Sequence, residues 1–236
     1  MKLTEIFTPF VIAIDGPAAS GKSTLAEKLA VELGFLYFDT GVMYRAVTLA
    51  ALDELDGVDD EDEVTRLAEQ STIDVQPASC ADGRKMDVLL NGSDVTWKIR
   101  SHEIDLNVSK VSAYRGVRKA LTDKQRVIGL RGKVVMVGRD IGTVVFPDAA
   151  CKLYLDASPE ERARRRHAEN EARGKCSSYD EILRSIRRRD RIDSTREHAP
   201  LKAAADAVII DTDGKTAEEV LQESLAYIRE KCKNQG

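Results

Sequence analysis

Apolar residues fall along this chain in short blocks, and the blocks alternate with longer amphipathic stretches. Strand-like runs recur at 10–15 (Phe-Val-Ile-Ala-Ile-Asp), 36–38, 133–137 (Lys-Val-Val-Met-Val), 152–155 and 207–211 (Ala-Val-Ile-Ile-Asp). Helical patterns lie between them at about 22–33, 41–52, 115–128, 158–172, 179–193 and 216–231. Strands alternating with helices predict an α/β fold whose parallel sheet is covered on both faces. The rhythm breaks over 72–100. There Ile73-Asp74-Val75, Met86–Leu90 and Asn91-Gly92 followed by Asp94-Val95 read as a small antiparallel meander with an Asn-Gly turn. Residues 66–112 are therefore expected to form an inserted subdomain.

Composition narrows the class. With 236 residues, 42% hydrophobic and 32% charged, the chain can bury a sizeable core as one large or two small domains. No apolar run approaches the ~20 residues of a membrane span, and Glu5 within Met-Lys-Leu-Thr-Glu-Ile-Phe argues against a secretory signal. Cys80, Cys151, Cys176 and Cys232 form no Cys-x-x-Cys pair, which suits a reducing cytoplasm and disfavours zinc. His102, His167 and His198 are too scattered to suggest a catalytic triad. Trp97 reads as a core residue, and with no heptad seam a monomer is expected.

The net charge of −4 conceals an asymmetry. Residues 53–63 carry eight acids (Asp53, Glu54, Asp56, Asp59, Asp60, Glu61, Asp62, Glu63), read as a solvated helix start with Asp59 and Asp60 near its N-terminal dipole. Residues 162–196 carry twelve Lys or Arg against six acids. Such a stretch is either a nucleic-acid surface or a lid that closes on phosphates. Its interleaved acids at helical spacing favour the lid, with no nucleic acid and no membrane as partner.

The most specific chemistry follows the first strand. Gly16-Pro17-Ala18-Ala19-Ser20-Gly21-Lys22-Ser23 is a Gly-x4-Gly-Lys-Ser phosphate loop, in which Lys22 can reach the β/γ-phosphates and Ser23 can bind Mg²⁺. The helical segment after it adds the N-terminal dipole. After the second strand, Asp39 or Thr40 can cap a helix whose first turn carries Tyr44 and Arg45, either an anion site or an ordinary capped helix. Gly138-Arg139-Asp140-Ile141-Gly142 follows strand 133–137, where open α/β sheets bind ligands. Arg139 and Asp140 are therefore well placed to meet a ligand, with a structural ion pair as the lesser alternative. Arg189, Asp193 and Arg196 at i, i+4 and i+7 share a face if their helix continues, which suits a phosphate and a ribose hydroxyl, although composition alone favours a salt-bridged surface helix. Arg162 and Arg166 are one turn apart, and Gly174-Lys175-Cys176-Ser177-Ser178 makes a hinge between the two basic helices. Arginines carried by a closing lid can stabilise charge on a phosphoryl group in transfer.

In order and spacing, the phosphate loop, Asp39-Thr40-Gly41-x-x-Tyr44-Arg45, Gly138-Arg139-Asp140-Ile141-Gly142-Thr143-Val144-Val145-Phe146-Pro147 and the late Arg189-x-x-x-Asp193-x-x-Arg196 closely resemble bacterial cytidylate (CMP/dCMP) kinases, in their long form, within the nucleoside monophosphate kinases. The likeness runs from about residue 10 to 230. It implies a P-loop kinase core (10–65 and 113–236) with a five-stranded parallel sheet, an enlarged NMP-binding insert at 66–112 and a mobile helical lid at about 162–193. It also implies the site roles. Gly16, Pro17, Ala18, Ala19, Ser20, Gly21, Lys22, Ser23 and Thr24 would hold ATP, with Ser23 on Mg²⁺. Thr40, Tyr44, Arg45, Arg139 and Arg189 would hold the CMP phosphate and the phosphoryl in flight. Ser109, Arg118 and Asp140 would read cytosine, while Asp193 and Arg196 would meet the sugar. Lys22, Arg139, Arg189, Arg162 and Arg166 would carry the catalysis.

Two positions depart from the family pattern. Val137 stands where an acid often precedes Gly-Arg-Asp, leaving Ser23, with Asp39 in compensation, as the metal candidates. Tyr114-Arg115-Gly116 replaces a frequent proline before Arg118. The expected activity is γ-phosphoryl transfer from ATP to CMP or dCMP. Its nearest rival is a kinase for another monophosphate such as UMP, because the phosphate loop is blind to the acceptor. A GTP-state switch lacks its Asn-Lys-x-Asp motif here, and a nucleic-acid ATPase would need the basic stretch as a binding surface.

Overall fold

The computed structural model describes residues 10–55, 57–172, 174 and 176–234, without the side chains of 232–234. The N-terminal segment, Asp56 of the acidic run, Lys175 of the expected hinge and the Cys232 thiol lie outside the described residues.

The first strand β1 (Val11–Asp15) is buried along its whole length. It leads through the phosphate loop into α1 (Lys22–Leu33), which buries Leu25, Ala26, Leu29 and Ala30 on one face. Gly34, at φ 67°, closes α1 by donating its N–H to the Ala30 and Val31 carbonyls, a left-handed cap that glycine adopts without strain. Then come β2 (Leu36–Asp39), α2 (Gly41–Glu54), α3 (Glu61–Gln70), β3 (Ile73–Pro77), β4 (Met86–Leu90), β5 (Ser93–Asp94), α4 (His102–Val111) and α5 (Arg115–Gly129). The second half adds β6 (Val134–Val137), a π-helical turn at Ile141–Val145, β7 (Cys151–Asp156), α6 (Pro159–Ala172), α7 (Tyr179–Thr195), β8 (Val208–Asp211) and α8 (Ala217–Asn234).

Five strands form one parallel sheet in the order β2-β6-β1-β7-β8. Val11 pairs with Val134, and Ile12 with Cys151, so β1 is central and its two neighbours arrive late in the chain. The core around it includes Ile12, Ile14, Leu29, Phe38 and Met136, all fully buried. Each such side chain contributes about 1.5–3 kcal/mol by leaving water. This order brings the loops after β1, β2 and β6 together at the carboxyl edge, where α/β sheets bind ligands. The strand β8 is an edge, and Ile209 on it is exposed.

Within the expected insert, β3-β4-β5 form the antiparallel meander. Asn91 (φ 50°) and Gly92 (φ 81°) make its two-residue turn with both φ values positive, as type I′ requires. The acidic run does start a helix: Asp60 caps α3 by accepting the Glu63 N–H at 3.0 Å.

Some elements differ from expectation. α4 was not expected: it buries only Ile104 and Val111, and Leu106 lies off that face and is exposed. Trp97 is not core but 48% exposed. Its indole N–H reaches Asp82 at 2.9 Å and the Arg100 guanidinium lies 5.3 Å from its ring, so polar partners satisfy it at the surface. Nor does α7 continue to Arg196. The Ser194 and Thr195 hydroxyls bond the Arg191 carbonyl at 3.3 and 2.7 Å, and Arg196 is extended (φ −64°, ψ 142°). Cys80 and Cys176 are exposed free thiols, and Cys151 is buried in β7. No helix among the described residues is long and apolar enough to cross a membrane.

Candidate active site

The chain turns sharply out of β1 at Gly16, whose φ is +146°; a Cβ there would sit 2.1 Å from the Leu155 carbonyl oxygen, so only glycine fits. Ala19 and Gly21 also have positive φ, which folds the loop back to the α1 N-terminus. Lys22 is buried, and its Nζ donates to the Pro17 carbonyl and, at 3.4 Å, to Ser20 Oγ. Burial and the nearby Arg139 push its amine well below its ordinary range, while Asp39 and Asp15 pull the other way. A buried cation crowded by arginines is a poor resting state that an anion would relieve. Ser23 is half-buried and Thr24 exposed.

Beside this loop lies a pocket of about 150 Å³ lined by Thr24, Leu25, Leu155, Arg165, Thr212 and Val220 among others. Arg165 donates to Thr212 Oγ1 at 3.0 Å and to the Thr212 carbonyl at 2.5 Å, while Thr212 Oγ1 in turn donates to the Ser20 carbonyl at 3.3 Å.

Across the same edge, Thr40 is buried and donates its hydroxyl to the Val137 carbonyl at 2.8 Å. Asp39 Oδ1 accepts the Gly41 N–H at 2.9 Å, so Asp39 rather than Thr40 closes the start of α2. From α2, Tyr44 packs under the Arg118 guanidinium, 5.5 Å from ring centre, and burial raises its hydroxyl pKa. Arg45 is turned onto the insert, bonding the Ile99 carbonyl at 3.0 Å and Asp105 at 2.6 Å.

The main feature is a row of alternating charges. Arg118 Nη2 meets Asp140 Oδ2 at 2.7 Å with both residues buried, and Arg118 Nη1 donates to the Ser112 carbonyl at 3.0 Å. Arg196 stands between two carboxylates, 3.8 Å from Asp140 and 3.7 Å from Asp193. Asp193 also accepts Arg139 Nε at 2.9 Å, with Arg189 Nε at 3.9 Å. Four arginines against two aspartates leave the row net positive. Arg196 Nη2 is buried without a hydrogen-bond partner, and burial together with Arg118 lowers its pKa. A donor left open this way costs stability unless something fills it.

Both departures from the family pattern are accommodated locally. Val137 is buried, and its carbonyl receives both the Thr40 hydroxyl and the Thr40 N–H, at 2.8 and 3.0 Å. Tyr114 anchors the start of α5 by donating to the Val58 carbonyl at 2.8 Å. Gly116 lies where a Cβ would be 2.3 Å from Thr65, so α5 is seated without a proline and Arg118 still reaches Asp140.

The family model described as Cytidylate kinase matches residues 12–230, nearly the whole chain. The chain belongs to the cytidylate kinase family. It is 52% identical to the cytidylate kinase of Herpetosiphon aurantiacus, over 94% of this chain and 95% of that one. With the cytidylate kinase of Carboxydothermus hydrogenoformans it shares 50% identity, over 93% and 97% of the two chains. With that of Chloroflexus aggregans it shares 52%, over 90% and 91%.

Of the residues expected to serve a cytidylate kinase site, the fold draws Tyr44, Arg118, Arg139, Asp140, Arg189, Asp193 and Arg196 into one network. Ser109 is exposed on α4, its carbonyl accepting the Ser112 hydroxyl at 3.0 Å. Arg166 pairs with Glu169 at 3.0 Å. Arg162 is buried and engaged on every side: Ala157 and Ala18 carbonyls at 2.9 and 3.2 Å, and Asp190 in a two-pronged pair at 2.9 and 2.6 Å. Sequence reading passed over Asp15, Asp190, Arg165 and Thr212. The available signal was position: Asp15 precedes the loop glycine, and Thr212 follows a strand at the sheet's carboxyl edge.

Proposed function

We propose that this chain transfers the γ-phosphoryl group of ATP to the 5′-phosphate of CMP or dCMP, giving CDP or dCDP and ADP in pyrimidine nucleotide metabolism. The observation that carries this reading is the buried Arg118–Asp140 pair, set in a net-positive row of arginines across the sheet edge from Lys22. Cytosine presents an amino donor at N4 and acceptors at O2 and N3, which a carboxylate and an arginine can read together. Uracil would set its O4 lone pairs against Asp140.

Two anions must be held in line, so catalysis is positioning and charge neutralisation. Gly16 to Thr24 cradle the ATP phosphates with backbone N–H groups, and Lys22 swings from the Pro17 carbonyl onto them. The pocket at Thr24, Arg165 and Thr212 takes the adenine side of ATP. Thr40, Tyr44, Arg45, Arg139 and Arg189 hold the CMP phosphate and the group in transfer; Ser109 joins Arg118 and Asp140 on the base when the insert (66–112) closes. Asp193 and Arg196, with its open donor, meet the sugar. The helices of 162–193 act as a lid, bringing Arg166 to the phosphates, while Arg162 works from beneath by bracing the phosphate loop at Ala18.

Mg²⁺ fits the donors present. Among the described residues no group of three or more His, Cys, Asp or Glu is placed to hold a metal, and this ion prefers one or two protein oxygens plus phosphate and water. Ser23 would hold it directly, with Asp39 behind. When bound, the ion neutralises charge on the β- and γ-phosphate oxygens. Exposed free Cys80 and Cys176 support a reducing, cytoplasmic setting.

A coupled ADP-release assay with ATP, Mg²⁺ and CMP, dCMP, UMP, AMP or GMP tests the reading. Turnover is expected with CMP and dCMP; preference for another acceptor would refute the base assignment. Lys22→Ala should lower kcat by about 10²-fold or more. Asp140→Ala should raise KM for CMP far more than for ATP.

A further inference from the structure

Asp15 ends β1, one residue before the phosphate loop, and is buried. Its Oδ1 accepts the Ile141 N–H at 2.8 Å, and its Oδ2 accepts the Gly142 N–H at 2.7 Å. These are the two amides directly after Asp140, at the start of the π-helical turn Ile141–Val145. Such turns are rare and are found frequently at functional sites. Asp140 itself has an unusual backbone (φ −148°, ψ 24°), so the direction of its carboxylate depends on how the turn beginning at Ile141 is held. The approach is close: a Cβ on Gly142 would lie 3.3 Å from Asp15 Oδ2 and 3.2 Å from Lys152 Cδ.

We propose that Asp15 is a positioning residue that clamps the base-reading loop to the phosphate loop and thereby sets acceptor specificity without touching either nucleotide. The inference rests on the acceptor site assigned above. Both bonds join a carboxylate to backbone N–H groups, the stronger class of hydrogen bond, and removing the carboxylate strands two buried donors. The freed turn must rotate to find new acceptors, and Asp140 is one peptide unit away. A displacement of about 1 Å at a reading group costs up to about 10²-fold in reactivity. Ionisable groups facing Asp15 include Lys22 from α1, Asp140 from the clamped loop and Tyr154 from β7, and Lys152 of β7 lies against the same Gly142 position. The phosphate loop keeps its own bonds, Leu25 N–H to the Gly21 carbonyl and Lys22 to Pro17 and Ser20, so ATP binding is expected to change little.

The test is steady-state kinetics of wild type, Asp15→Ala and Asp15→Asn with CMP, UMP and ATP, with folded fraction followed by circular dichroism. Asp15→Ala should raise KM for CMP by about tenfold or more, leave KM for ATP within about threefold, and narrow the CMP-to-UMP ratio of kcat/KM. Asp15→Asn keeps one acceptor oxygen and should fall between; it carries the measurement if Asp15→Ala does not fold. Equal losses of kcat for both acceptors, with KM for CMP and the ratio unmoved, would reduce Asp15 to a structural residue and overturn the proposal. A wild type that does not phosphorylate CMP overturns the acceptor reading, and this inference with it. An active wild type with unmoved variants overturns this inference alone.

Discussion

At the scale of single residues, burial decides what each charge in this site is worth. Asp15 shows it: burial raises its carboxyl to about 6, against the pull of the Gly142 and Ile141 N–H groups and of Lys22. An acid whose folded pKa is raised holds its proton more tightly when folded. Its contribution to stability is therefore complete below the unfolded pKa of about 3.9 and is lost as pH rises through 6. About 1.4 kcal/mol of that loss falls between pH 5 and pH 7.5. Urea unfolding of wild type and Asp15→Asn at these two pH values should show the difference between them moving by this amount in favour of the variant at pH 7.5. A pH-independent difference would mean that the two backbone bonds keep the carboxylate ionised throughout. Arg196 is the complementary case. Its helical spacing to Asp193 pointed to the right neighbour for a reason that the fold does not use, since the side chain returns from an extended residue beyond the helix.

At the scale of elements, α6 and α7 are joined by the Arg162–Asp190 pair inside and Arg187–Glu160 at 2.5 Å outside. The outer pair is exposed and contributes little. The inner one is different, because Arg162 also holds the Ala18 carbonyl of the phosphate loop. Asp190→Ala leaves a buried guanidinium with only carbonyl partners, and we expect a loss of about 2–3 kcal/mol in urea unfolding. Asp190→Asn should recover part of it, whereas Arg187→Ala should cost under about 1 kcal/mol. The one-turn spacing of Arg162 and Arg166 marked both as lid arginines. It could not show that one points inward and the other outward, because their helix, α6, has a weak apolar stripe and its rotation is set by Asp190 on another helix.

At the scale of the whole molecule, the sheet order makes one site out of distant segments. CMP at 100 times its Kd should stabilise the folded chain by about 2.7 kcal/mol, a rise of about 5–11 °C in Tm for a chain of this size. UMP at the same concentration should raise Tm much less, and thermal scans read both directly. The strands, most of the helices, the Asn-Gly turn and the phosphate loop were legible in the chain because each depends on neighbours within a few residues. The start of α3 was legible in its acidic run, whereas α4 was not, because Leu106 falls off the face that buries Ile104 and Val111. By itself, the sequence determined the α/β alternation, the inserted meander, the nucleotide-binding loop and the family. Tertiary structure alone decided that Arg118 and Asp140 pair, that Arg196 keeps an open buried donor, that Trp97 faces outward and that Asp15 holds a loop 126 residues away. Local pattern specifies elements through short-range backbone and burial preferences, whereas the partner of a buried charge is set by which strands the sheet brings side by side.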